Sequence, residues 1–372
     1  MRYDLFIYTW ASALLVPTLK GNAKASIHGS KRQVQTPTFF CLILTAEAGS
    51  PDAFFLQMEA PINVAVNIDE PYTKYCIVML TSLFQNNKDA DFHIHIVAKD
   101  LSIDAKTELE SFIEEEKGQK VSFYCPDDDK LKDCKVHEGG HISLATYYRL
   151  FLGSILPPDI HKVLYLDCDL IVNGPIKDLW ATDIENVSVA AVEDNWCAVP
   201  DLYEKLKYPS SYSYFNAGVM LLNLDRLRKN DFEIKALKFI NESNYVTYDQ
   251  DVLNYILHDD KLFLPYRWNI QDAFLRRNRD RRNFPESLRK IDAEIPHAVI
   301  IHFTGGKKPW LYKSLHPWKE CYFQYLDLTR WRGERPYIPF SSKINLLVDK
   351  VLNFLRITHP RYLKVPPLQY SI

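Results

Sequence analysis

Two aspartates separated by one residue, Asp167 and Asp169, directly follow the apolar run 163–166. Alternate residues of an extended chain share a face, so both carboxylates can point into one site while Cys168 points into the core. Two carboxylates this close repel each other unless a cation lies between them. Ligation by oxygen favours Mg²⁺ or Mn²⁺, with phosphate oxygens completing the coordination shell. A turn cap is the alternative explanation for a short D-x-D pattern, but the motif has no Lys or Arg to neutralise it, which favours a metal site.

Three further motifs lie downstream, each next to a predicted helix or strand. Phe-Asn-Ala-Gly at 215–218 precedes the apolar run 219–222, where a glycine lets the backbone approach a ligand, although a tight turn is the simpler explanation of this motif alone. Tyr-Asp-Gln-Asp at 248–251 opens a helical run, and acidic residues there are also ordinary helix caps. His302 ends a short strand and is followed by Gly-Gly-Lys-Lys at 305–308, which can supply a nitrogen ligand to a metal and ammonium groups to a diphosphate.

Strands and helices alternate from residue 62 onwards, and these elements must bring the four motifs together. Apolar runs typical of strands occupy the ranges 62–68, 92–98, 121–125, 162–166, 187–192, 218–223 and 299–301. Helical periodicity occupies the ranges 73–86, 102–117, 143–152 and 252–257. Ser102 is the expected cap of the second helix. The pattern predicts an α/β fold with a mostly parallel sheet, helices on both faces and ligands at the carboxyl ends of the strands.

The composition excludes several classes of protein. The 372 residues are 47% hydrophobic, 25% charged and 13% aromatic, so the chain is globular rather than collagen-like, disordered or a disulfide scaffold. The formal net charge of -2 argues against a polycation that coats nucleic acid, and we expect no nucleic-acid partner. Seven scattered cysteines without C-x-x-C spacing are expected to be reduced and mostly buried, as in a cytosolic protein.

Basic residues are concentrated in two segments of an otherwise acidic chain. Residues 276–290 carry seven Arg and Lys against two acidic residues, and residues 339–372 carry five against one. These segments hold net charges of +5 and +4, which leaves -11 on the rest of a chain whose total is -2. Such segregation favours an anionic partner, which is a membrane surface or an acidic acceptor.

The two ends of the chain differ from the region between them. Residues 1–57 have weak periodicity and are expected to be a poorly ordered extension or a misassigned upstream start, and the apolar run 5–17 is too short to span a membrane. Residues 58–335 form the predicted main domain. Residues 336–372 form a basic tail, in which apolar residues at helical spacing within 343–356 predict an amphipathic helix. Such a helix either packs on the main domain or binds an anionic membrane surface, and the charge of the tail favours the membrane.

The ordered combination of D-x-D at 167–169, F-N-A-G at 215–218, D-Q-D at 249–251 and H-F-x-G-x-x-K-P-W at 302–310 resembles glycosyltransferase family 8. The resemblance covers residues 62–318 and is closest to bacterial lipopolysaccharide and lipooligosaccharide galactosyl- and glucosyltransferases. It implies a Rossmann-like GT-A fold that binds a nucleotide sugar, followed here by a short helical, basic tail. It also implies retaining transfer of galactose or glucose from a UDP-hexose donor to a saccharide or glycolipid acceptor.

The resemblance also implies roles for individual residues of this chain. Asp167, Asp169 and His302 match the ligands of Mn²⁺, or of Mg²⁺ in its place. The other matched residues contact the donor. Asn67 and Asp69 match the positions that bind the nucleotide, Arg149 and Lys308 match the positive groups that bind the donor, and Gly305 matches the loop glycine at the phosphates. On the sugar side, Asn216 and Ala217 match the donor-sugar loop, Asp249 matches a contact to a sugar hydroxyl, and Gln250 matches the residue beneath the anomeric carbon. Residues 1–57 have no counterpart in the family pattern, and we interpret the Arg-rich segment 276–290 as a variation on the acceptor side.

Charge determines the expected mechanism. Cleavage of the bond between the sugar and UDP leaves negative charge on the phosphate, which the metal and Lys308 would stabilise. Retention usually implies a carboxylate nucleophile near the ring, but the matching residue is Gln250, which is a weak nucleophile. We therefore expect a front-face displacement, in which the acceptor hydroxyl attacks on the side that UDP leaves and the phosphate takes the proton. Asp249 and Asp251 remain candidates for a covalent intermediate.

Two other functions use similar residues. A two-metal nucleotidyltransferase or phosphoesterase also contains D-x-D, but it needs further carboxylates for its second ion, whereas the loop after His302 has lysines and glycines. A non-catalytic module that binds nucleotide sugars would be expected to lack at least one of Asp167, Asp169 and His302, and all three are present. The sequence therefore favours an enzyme of the cytoplasm, peripherally associated with the inner face of the plasma membrane through its tail.

Overall fold

The structure, a computed structural model, describes residues 60–127, 144–243, 248–281, 283–355 and 357–369. The expectation for residues 1–57 therefore lies outside the described residues, as does the first residue of the helix predicted over 143–152.

A seven-stranded sheet forms the centre of the fold, and three short strands form a second sheet. The strands that the structure describes are β1 (Ile62–Asn67), β2 (Phe92–Val97), β3 (Lys120–Tyr124), β4 (Lys162–Leu166), β5 (Leu170–Val172), β6 (Val189–Glu193), β7 (Phe215–Asn223), β8 (Lys261–Phe263), β9 (Ile270–Gln271) and β10 (Ile300–His302). The order across the central sheet is β3-β2-β1-β4-β7-β6-β8. Every neighbouring pair is parallel except the two pairs that contain β7, which is antiparallel to β4 and β6. The mostly parallel sheet that the sequence predicts is therefore confirmed.

Helices connect the strands. Those that the structure describes are α1 (Thr73–Gln85), α2 (Ile103–Glu110), α3 (Leu152–Ile155), α4 (Lys177–Trp180), α5 (Pro200–Leu206), α6 (Leu224–Lys229), α7 (Phe232–Glu242), α8 (Asp249–Leu257), α9 (Pro285–Glu294), α10 (Lys319–Leu326) and α11 (Phe340–Phe354). The helix predicted over 102–117 is α2 followed by a π-helix, Ser111–Glu116, and the helix predicted over 143–152 is a 3₁₀-helix, Leu144–Phe151, followed by α3. Ser102 caps α2 as predicted, because its hydroxyl accepts from the Ala105 amide at 3.2 Å.

Hydrophobic clusters cover both faces of the central sheet. Val64 and Val66 of β1 belong to one cluster, whereas Ala65 between them belongs to the other. β4 alternates in the same way, with Leu166 in the first cluster and Tyr165 in the second. Because both faces are buried, these strands are continuous apolar runs rather than alternating ones.

The F-N-A-G motif lies inside β7 and not in a turn before it, so the tight-turn explanation is wrong. Phe215 pairs with Glu193 of β6 beyond a shift in register. Asn254 also binds Phe215 as a strand partner would: its amide group donates to the Phe215 carbonyl and its oxygen accepts from the Phe215 N–H, both at 2.8 Å. These contacts let the strand begin before the apolar run 218–223 that predicts it.

The second sheet brings a distant part of the chain to the D-x-D motif. Its strand order is β5-β10-β9, with β10 antiparallel to β5 and parallel to β9. His302, the last residue of β10, pairs with Leu170, the first residue of β5. The strand predicted over 299–301 therefore exists, and its pairing with β5 places its terminal histidine beside the aspartates.

The amphipathic helix predicted over 343–356 is present as α11. Its apolar stripe is uncovered: Ile344, Leu347, Val348 and Val351 are between 47% and 62% exposed. No side chain of α11 that the structure describes is buried. Among the described residues, the apolar stripe of this helix is therefore not packed against the main domain, which was one of the two alternatives.

The chain returns to the main body after α11. Tyr362 is buried, and its hydroxyl donates to Asp272 at 2.5 Å. The Leu363 N–H donates to the Leu275 carbonyl at 2.8 Å, and the Trp318 indole donates to the Pro366 carbonyl at 3.0 Å. Along the described ranges, none of the helices has both the length and the apolar character that crossing a bilayer requires.

The cysteines agree with the prediction of reduced and mostly buried thiols. Five of the seven lie in the described ranges; all five are free, and Cys125 is the exposed one among them. Cys41 and Cys134 lie outside the described residues.

Candidate active site

The D-x-D motif occupies the turn between β4 and β5, at the carboxyl end of β4. The Asp167 N–H donates to the Gly218 carbonyl at 2.9 Å, and the Asp169 carbonyl accepts from the Phe303 N–H at 3.0 Å. Cys168 between them is buried in the hydrophobic core. Backbone contacts to β7 and to the end of β10 thus hold both aspartates, with the cysteine turned inwards as the alternation predicts.

His302 completes a cluster of three metal-ligating side chains. Its Nε2 lies 3.0 Å from Asp169 Oδ1 and 3.7 Å from Asp167 Oδ2. One ligand atom from each of the three residues lies within 4.8 Å of the others. Two carboxylates and one imidazole provide the oxygen and nitrogen atoms that suit Mn²⁺ and are compatible with Mg²⁺. We call Asp167, Asp169 and His302 the ligand cluster, and its residues fit the divalent cation that the sequence predicts.

Gly218 of β7 lies directly against the ligand cluster. A Cβ atom at this position would lie 2.2 Å from Cε1 of His302 and 2.6 Å from Oδ2 of Asp167. Side-chain atoms do not approach so closely, so any larger residue would displace two of the three ligands. Glycine at this position therefore lets the backbone of β7 approach the ligand cluster closely.

Lys308 reaches the ligand cluster from the loop after β10. Its ammonium group contacts Asp169 and donates to the Phe303 carbonyl at 3.0 Å, whereas Lys307 is exposed. Burial alone would raise the pKa of Asp169, but Lys308 and His302 hold that pKa well below its usual range. The loop therefore brings one lysine of the pair into the site and leaves the other in solvent.

Gly305 forms the turn of this loop. Its φ is +79°, in the left-handed region that glycine adopts without strain. It is exposed, and a Cβ there would meet no atom of the described residues within 4 Å. The backbone conformation, rather than a lack of space, therefore accounts for glycine at this position.

Arg149 is a buried guanidinium that joins the ligand cluster to Asp249. Its Nη2 lies 3.0 Å from Asp167 Oδ1, its Nε lies 2.9 Å from Asp249 Oδ2, and its Nη1 donates to the Ala217 carbonyl at 2.9 Å. Burial raises the pKa of Asp249 to about 6, against the opposing effect of Arg149. Arg149 therefore links Asp249 to the ligand cluster through a single guanidinium group.

Gln250 lies at the start of α8 and packs against β7. Its Oε1 accepts from the Ala217 N–H at 3.0 Å and from Asn216 Nδ2 at 3.3 Å. Its Nε2 donates to Asp194 Oδ2 at 3.4 Å, and Asn216 Nδ2 donates to the same oxygen at 2.9 Å. The amide of Gln250 is therefore fixed in orientation, and its oxygen already accepts two hydrogen bonds.

Asp251 belongs to the same sequence motif but has different partners. Its Oδ2 lies 2.7 Å from Lys205 Nζ, and its Oδ1 accepts from the Tyr214 hydroxyl at 2.9 Å. It also accepts from the Tyr248 N–H and so caps its own helix. The D-Q-D motif is therefore divided: Asp249 is tied to the ligand cluster through Arg149, and Asp251 secures the start of α8.

Asn67 is the last residue of β1, and Asp69 lies two residues further along the chain. The Oδ1 atom of each is buried and finds no hydrogen-bond donor among the described residues. The Nδ2 of Asn67 has a long contact of 3.4 Å to the Ala145 carbonyl. Buried acceptors without a donor are uncommon and costly, so two of them at the carboxyl end of a parallel strand indicate a place for the donor groups of a ligand.

Three residues of the site belong to no motif, and sequence reasoning misses them. Tyr72 ends the short 3₁₀-helix that follows Asp69, and burial, together with Asp169 and Asp69, raises its pKa to about 12. Asp194 directly follows β6 and Asn269 directly precedes β9, and both are buried. A polar residue after an apolar strand is a usable signal for Asp194. Asn269 has no such signal, because β9 is only two residues long.

Comparison with protein families gives a match over most of the chain. The model of Glycosyl transferase family 8 matches residues 63–314. This range contains D-x-D, F-N-A-G, D-Q-D and the loop from His302 to Lys308.

Curated bacterial proteins are similar over most of their own lengths. General stress protein A of Bacillus subtilis is 29% identical over 276 residues, which cover 71% of this chain and 92% of that protein. Lipopolysaccharide 1,2-glucosyltransferase of Escherichia coli is 28% identical over 278 residues, which cover 74% of this chain and 80% of that protein.

A solved structure shows the same architecture. Galactosyltransferase LgtC, in complex with donor and acceptor sugar analogs, matches with a TM-score of 0.66 at 22% identity and covers 76% of this chain and 99% of that chain. The likeness confirms the α/β GT-A fold that the sequence predicts.

Proposed function

Because this chain belongs to glycosyl transferase family 8, we propose that it transfers galactose or glucose from a UDP-sugar to a saccharide acceptor with retention of configuration. The similarity to a lipopolysaccharide glucosyltransferase supports an acceptor in lipopolysaccharide or lipooligosaccharide biosynthesis. The observation that carries the proposal is the convergence of Asp167, Asp169, His302 and Lys308 at the carboxyl end of β4.

The ligand cluster would hold Mn²⁺, or Mg²⁺ in its place. When bound, the cation supplies a Lewis acid that stabilises negative charge on the departing diphosphate. Lys308 contacts Asp169 directly, so its ammonium group is the candidate counter-ion for a diphosphate bound at the cluster. Exposed Lys307 would have no part in this contact.

Asn67 and Asp69 would bind the nucleoside. Their buried, unpaired oxygens are acceptors, which suits the N–H of uracil and the hydroxyls of ribose. The ring of Tyr72, in the short 3₁₀-helix that follows Asp69, can stack on the base. Gly305 lies in an exposed loop whose backbone can approach the phosphates.

The donor sugar would lie against Asn216, Ala217 and Asp249, with Gln250 beneath its anomeric carbon. Arg149 holds Asp249 in place as an acceptor for a sugar hydroxyl. Because two donors already occupy the Gln250 oxygen, this amide serves as a fixed dipole rather than a nucleophile.

A front-face displacement fits these contacts. The acceptor hydroxyl attacks the anomeric carbon on the face from which UDP departs. The bond from that carbon to the phosphate oxygen breaks with its electron pair on the oxygen, and the phosphate takes the proton of the hydroxyl. The products are UDP and a glycoside with the configuration of the donor.

A donor panel tests the proposal. Purified protein is incubated with UDP-galactose, UDP-glucose and other nucleotide sugars and a set of soluble saccharide acceptors, in Mn²⁺ or in EDTA, and the products are identified by NMR. We expect UDP release from a galactose or glucose donor that requires the metal, and a product that retains the donor configuration. Release of a nucleoside monophosphate would instead support phosphoesterase chemistry, and UDP binding without turnover of any donor would support a non-catalytic module.

Lys308→Ala is expected to weaken UDP binding by about 10- to 100-fold and to slow transfer. The lost contact is a charge-assisted hydrogen bond to phosphate, worth about 1.5–3 kcal/mol. Isothermal titration with UDP and Mn²⁺ measures the change. Lys307→Ala is the matched control, because it removes the same charge from an exposed neighbour. A larger loss of affinity in Lys307→Ala would mean that Lys307 is the phosphate-binding residue.

We also propose that the tail binds an anionic membrane surface at the inner face of the plasma membrane. The apolar stripe of α11 is exposed, and the two basic segments of the chain contact each other at residues 276–277 and 361–362. The Arg277 N–H donates to the Arg361 carbonyl at 3.1 Å, and Arg276 forms a β-bridge with Tyr362. An exposed apolar helix face suits the acyl boundary of a bilayer, and the net positive charge of both segments suits anionic headgroups.

Replacement of apolar side chains in α11 tests membrane binding without removing the segment after it. The double variant Leu347→Ser and Val351→Ser should bind vesicles that contain phosphatidylglycerol at least about 100-fold more weakly, since each of the two side chains contributes about 1.5–3 kcal/mol when buried. Asn345→Ser, at an exposed position of the same helix, is the control. Sedimentation measures binding, and turnover on a soluble acceptor should stay unchanged. Equal binding by all three proteins would contradict the proposal.

A further inference from the structure

Asn269 connects the ligand cluster to the sugar side of the site. It is fully buried, and its side chain lies between His302 and Asn216. Its Oδ1 lies 3.0 Å from Nδ1 of His302, and its Nδ2 lies 2.8 Å from Oδ1 of Asn216.

Backbone geometry determines the direction of every hydrogen bond in this chain of amides. The Gly218 N–H can only donate, and it donates to Asn216 at 3.0 Å, so the Asn216 atom at that position is the oxygen. The Asn269 group that faces the same oxygen must then be the NH₂ group. The remaining Asn269 atom, which faces His302, is therefore the carbonyl oxygen, and a carbonyl oxygen accepts only.

We propose that Asn269 is a positioning residue that keeps a proton on Nδ1 of His302, as in the Nδ1–H tautomer, so that Nε2 is the nitrogen left to bind a cation at the ligand cluster. The identity of the cation rests on the proposed function, whereas the tautomer is inferred from the hydrogen bonds alone. In the opposite tautomer, Nε2 would carry a hydrogen and could only donate to Asp169. Asn269 thus selects the form of the imidazole that can bind a metal.

The same amide chain extends to the sugar side. Asn216 Nδ2 donates to Asp194 at 2.9 Å and lies 3.3 Å from the Gln250 oxygen. His302, Asn269, Asn216 and Gln250 are therefore consecutive members of one hydrogen-bonded series. A substitution at Asn269 that keeps its acceptor but removes its donor should disturb the sugar side while leaving the metal ligand in place.

The tautomer can be measured directly in the wild-type protein. The protein is labelled with ¹⁵N-histidine, and ring correlations are recorded without metal at a pH where the His302 ring is neutral. The His302 signal is identified by its loss in His302→Gln. We expect the proton on Nδ1. A proton on Nε2 would overturn the proposal, and this result needs neither an Asn269 variant nor enzymatic activity.

Mn²⁺ affinity provides the second readout, measured by electron paramagnetic resonance without a donor sugar. Asn269→Leu should bind Mn²⁺ about 10- to 100-fold more weakly, as expected for loss of a residue that orients a metal-binding histidine. Asn269→Asp keeps an acceptor for Nδ1–H, so it should keep the affinity within about threefold while transfer slows, because the donor to Asn216 is gone.

Asn173→Leu is the matched control for the loss of a buried asparagine. Its side chain accepts from Cys321 and Tyr325 and has no contact with the ligand cluster. Its Mn²⁺ affinity should equal that of the wild type. Wild-type affinity in Asn269→Leu would overturn the proposal. Failure of the wild type itself to bind Mn²⁺ would contradict the proposed function, and the NMR spectrum would still decide the tautomer.

Discussion

Asp169→Asn is expected to lower sugar transfer by about 10²–10³-fold while the protein remains folded. The amide has the shape of the carboxylate but lacks the charge that Lys308 and His302 surround. Without that charge, the ligand cluster keeps a single carboxylate, and a hard divalent cation binds poorly. Turnover and thermal melting, measured on the same preparation, separate a chemical effect from unfolding.

Asp178→Asn is a suitable control for Asp169→Asn, because Asp178 is exposed on α4. Its turnover and melting temperature should match those of the wild type. Metal removal should reproduce the defect: excess EDTA is expected to inactivate the wild type, and added Mn²⁺ should restore it. Undiminished transfer in EDTA, or in Asp169→Asn, would contradict a metal-dependent reaction.

Gly218→Ala should lower transfer by at least about 10²-fold, although it adds only one methyl group. The added Cβ would overlap Cε1 of His302 and Oδ2 of Asp167, so both ligands must move. Overpacking of this kind costs about 1–3 kcal/mol of folding free energy. Initial rates in saturating Mn²⁺ and chemical denaturation together measure the two effects.

Gly153→Ala is the matched control for Gly218→Ala. A Cβ there would meet only Cγ of Arg228, at an ordinary contact distance of 3.6 Å. It lies in α3, where alanine is also the better helix former. We expect wild-type transfer and equal or greater stability. If Gly218→Ala also retained wild-type transfer, the ligand cluster would have to be more adaptable than its packing indicates.

Local patterns in the sequence predict the parts of the site that lie on one strand or one helix. The apolar run before Asp167 predicts β4, and alternation alone predicts that Cys168 turns inwards while the two carboxylates share a face. D-Q-D predicts the start of α8 in the same way. These predictions succeed because each depends on only a few consecutive residues.

Contacts between distant segments cannot be read from such patterns. The pairing of His302 with Leu170 depends on β10 joining a small second sheet rather than the central one. F-N-A-G forms strand instead of turn because the side chain of Asn254, far along the chain, supplies the missing strand partner. Asn269 carries no recognisable signal at all. Tertiary hydrogen bonds decide each of these cases, and a single sequence does not display them.

The amphipathic helix shows a different limit of sequence reasoning. Periodicity predicts α11 because a regular apolar stripe is visible in one segment. The same stripe fits burial against protein or against lipid, so the pattern leaves both alternatives open. The structure adds that Leu347 and its neighbours are exposed among the described residues, which periodicity does not reveal.

The return of the chain after α11 has a practical consequence for shortening the enzyme. Residues 357–369 are hydrogen-bonded to the main body: Tyr362 is buried against Asp272, and the Trp318 indole donates to the Pro366 carbonyl. Truncation before α11 would therefore strip buried contacts from the body along with the exposed helix. For a more soluble version for crystallisation, α11 alone should be replaced by a flexible Gly/Ser linker, and residues 357–369 should be retained.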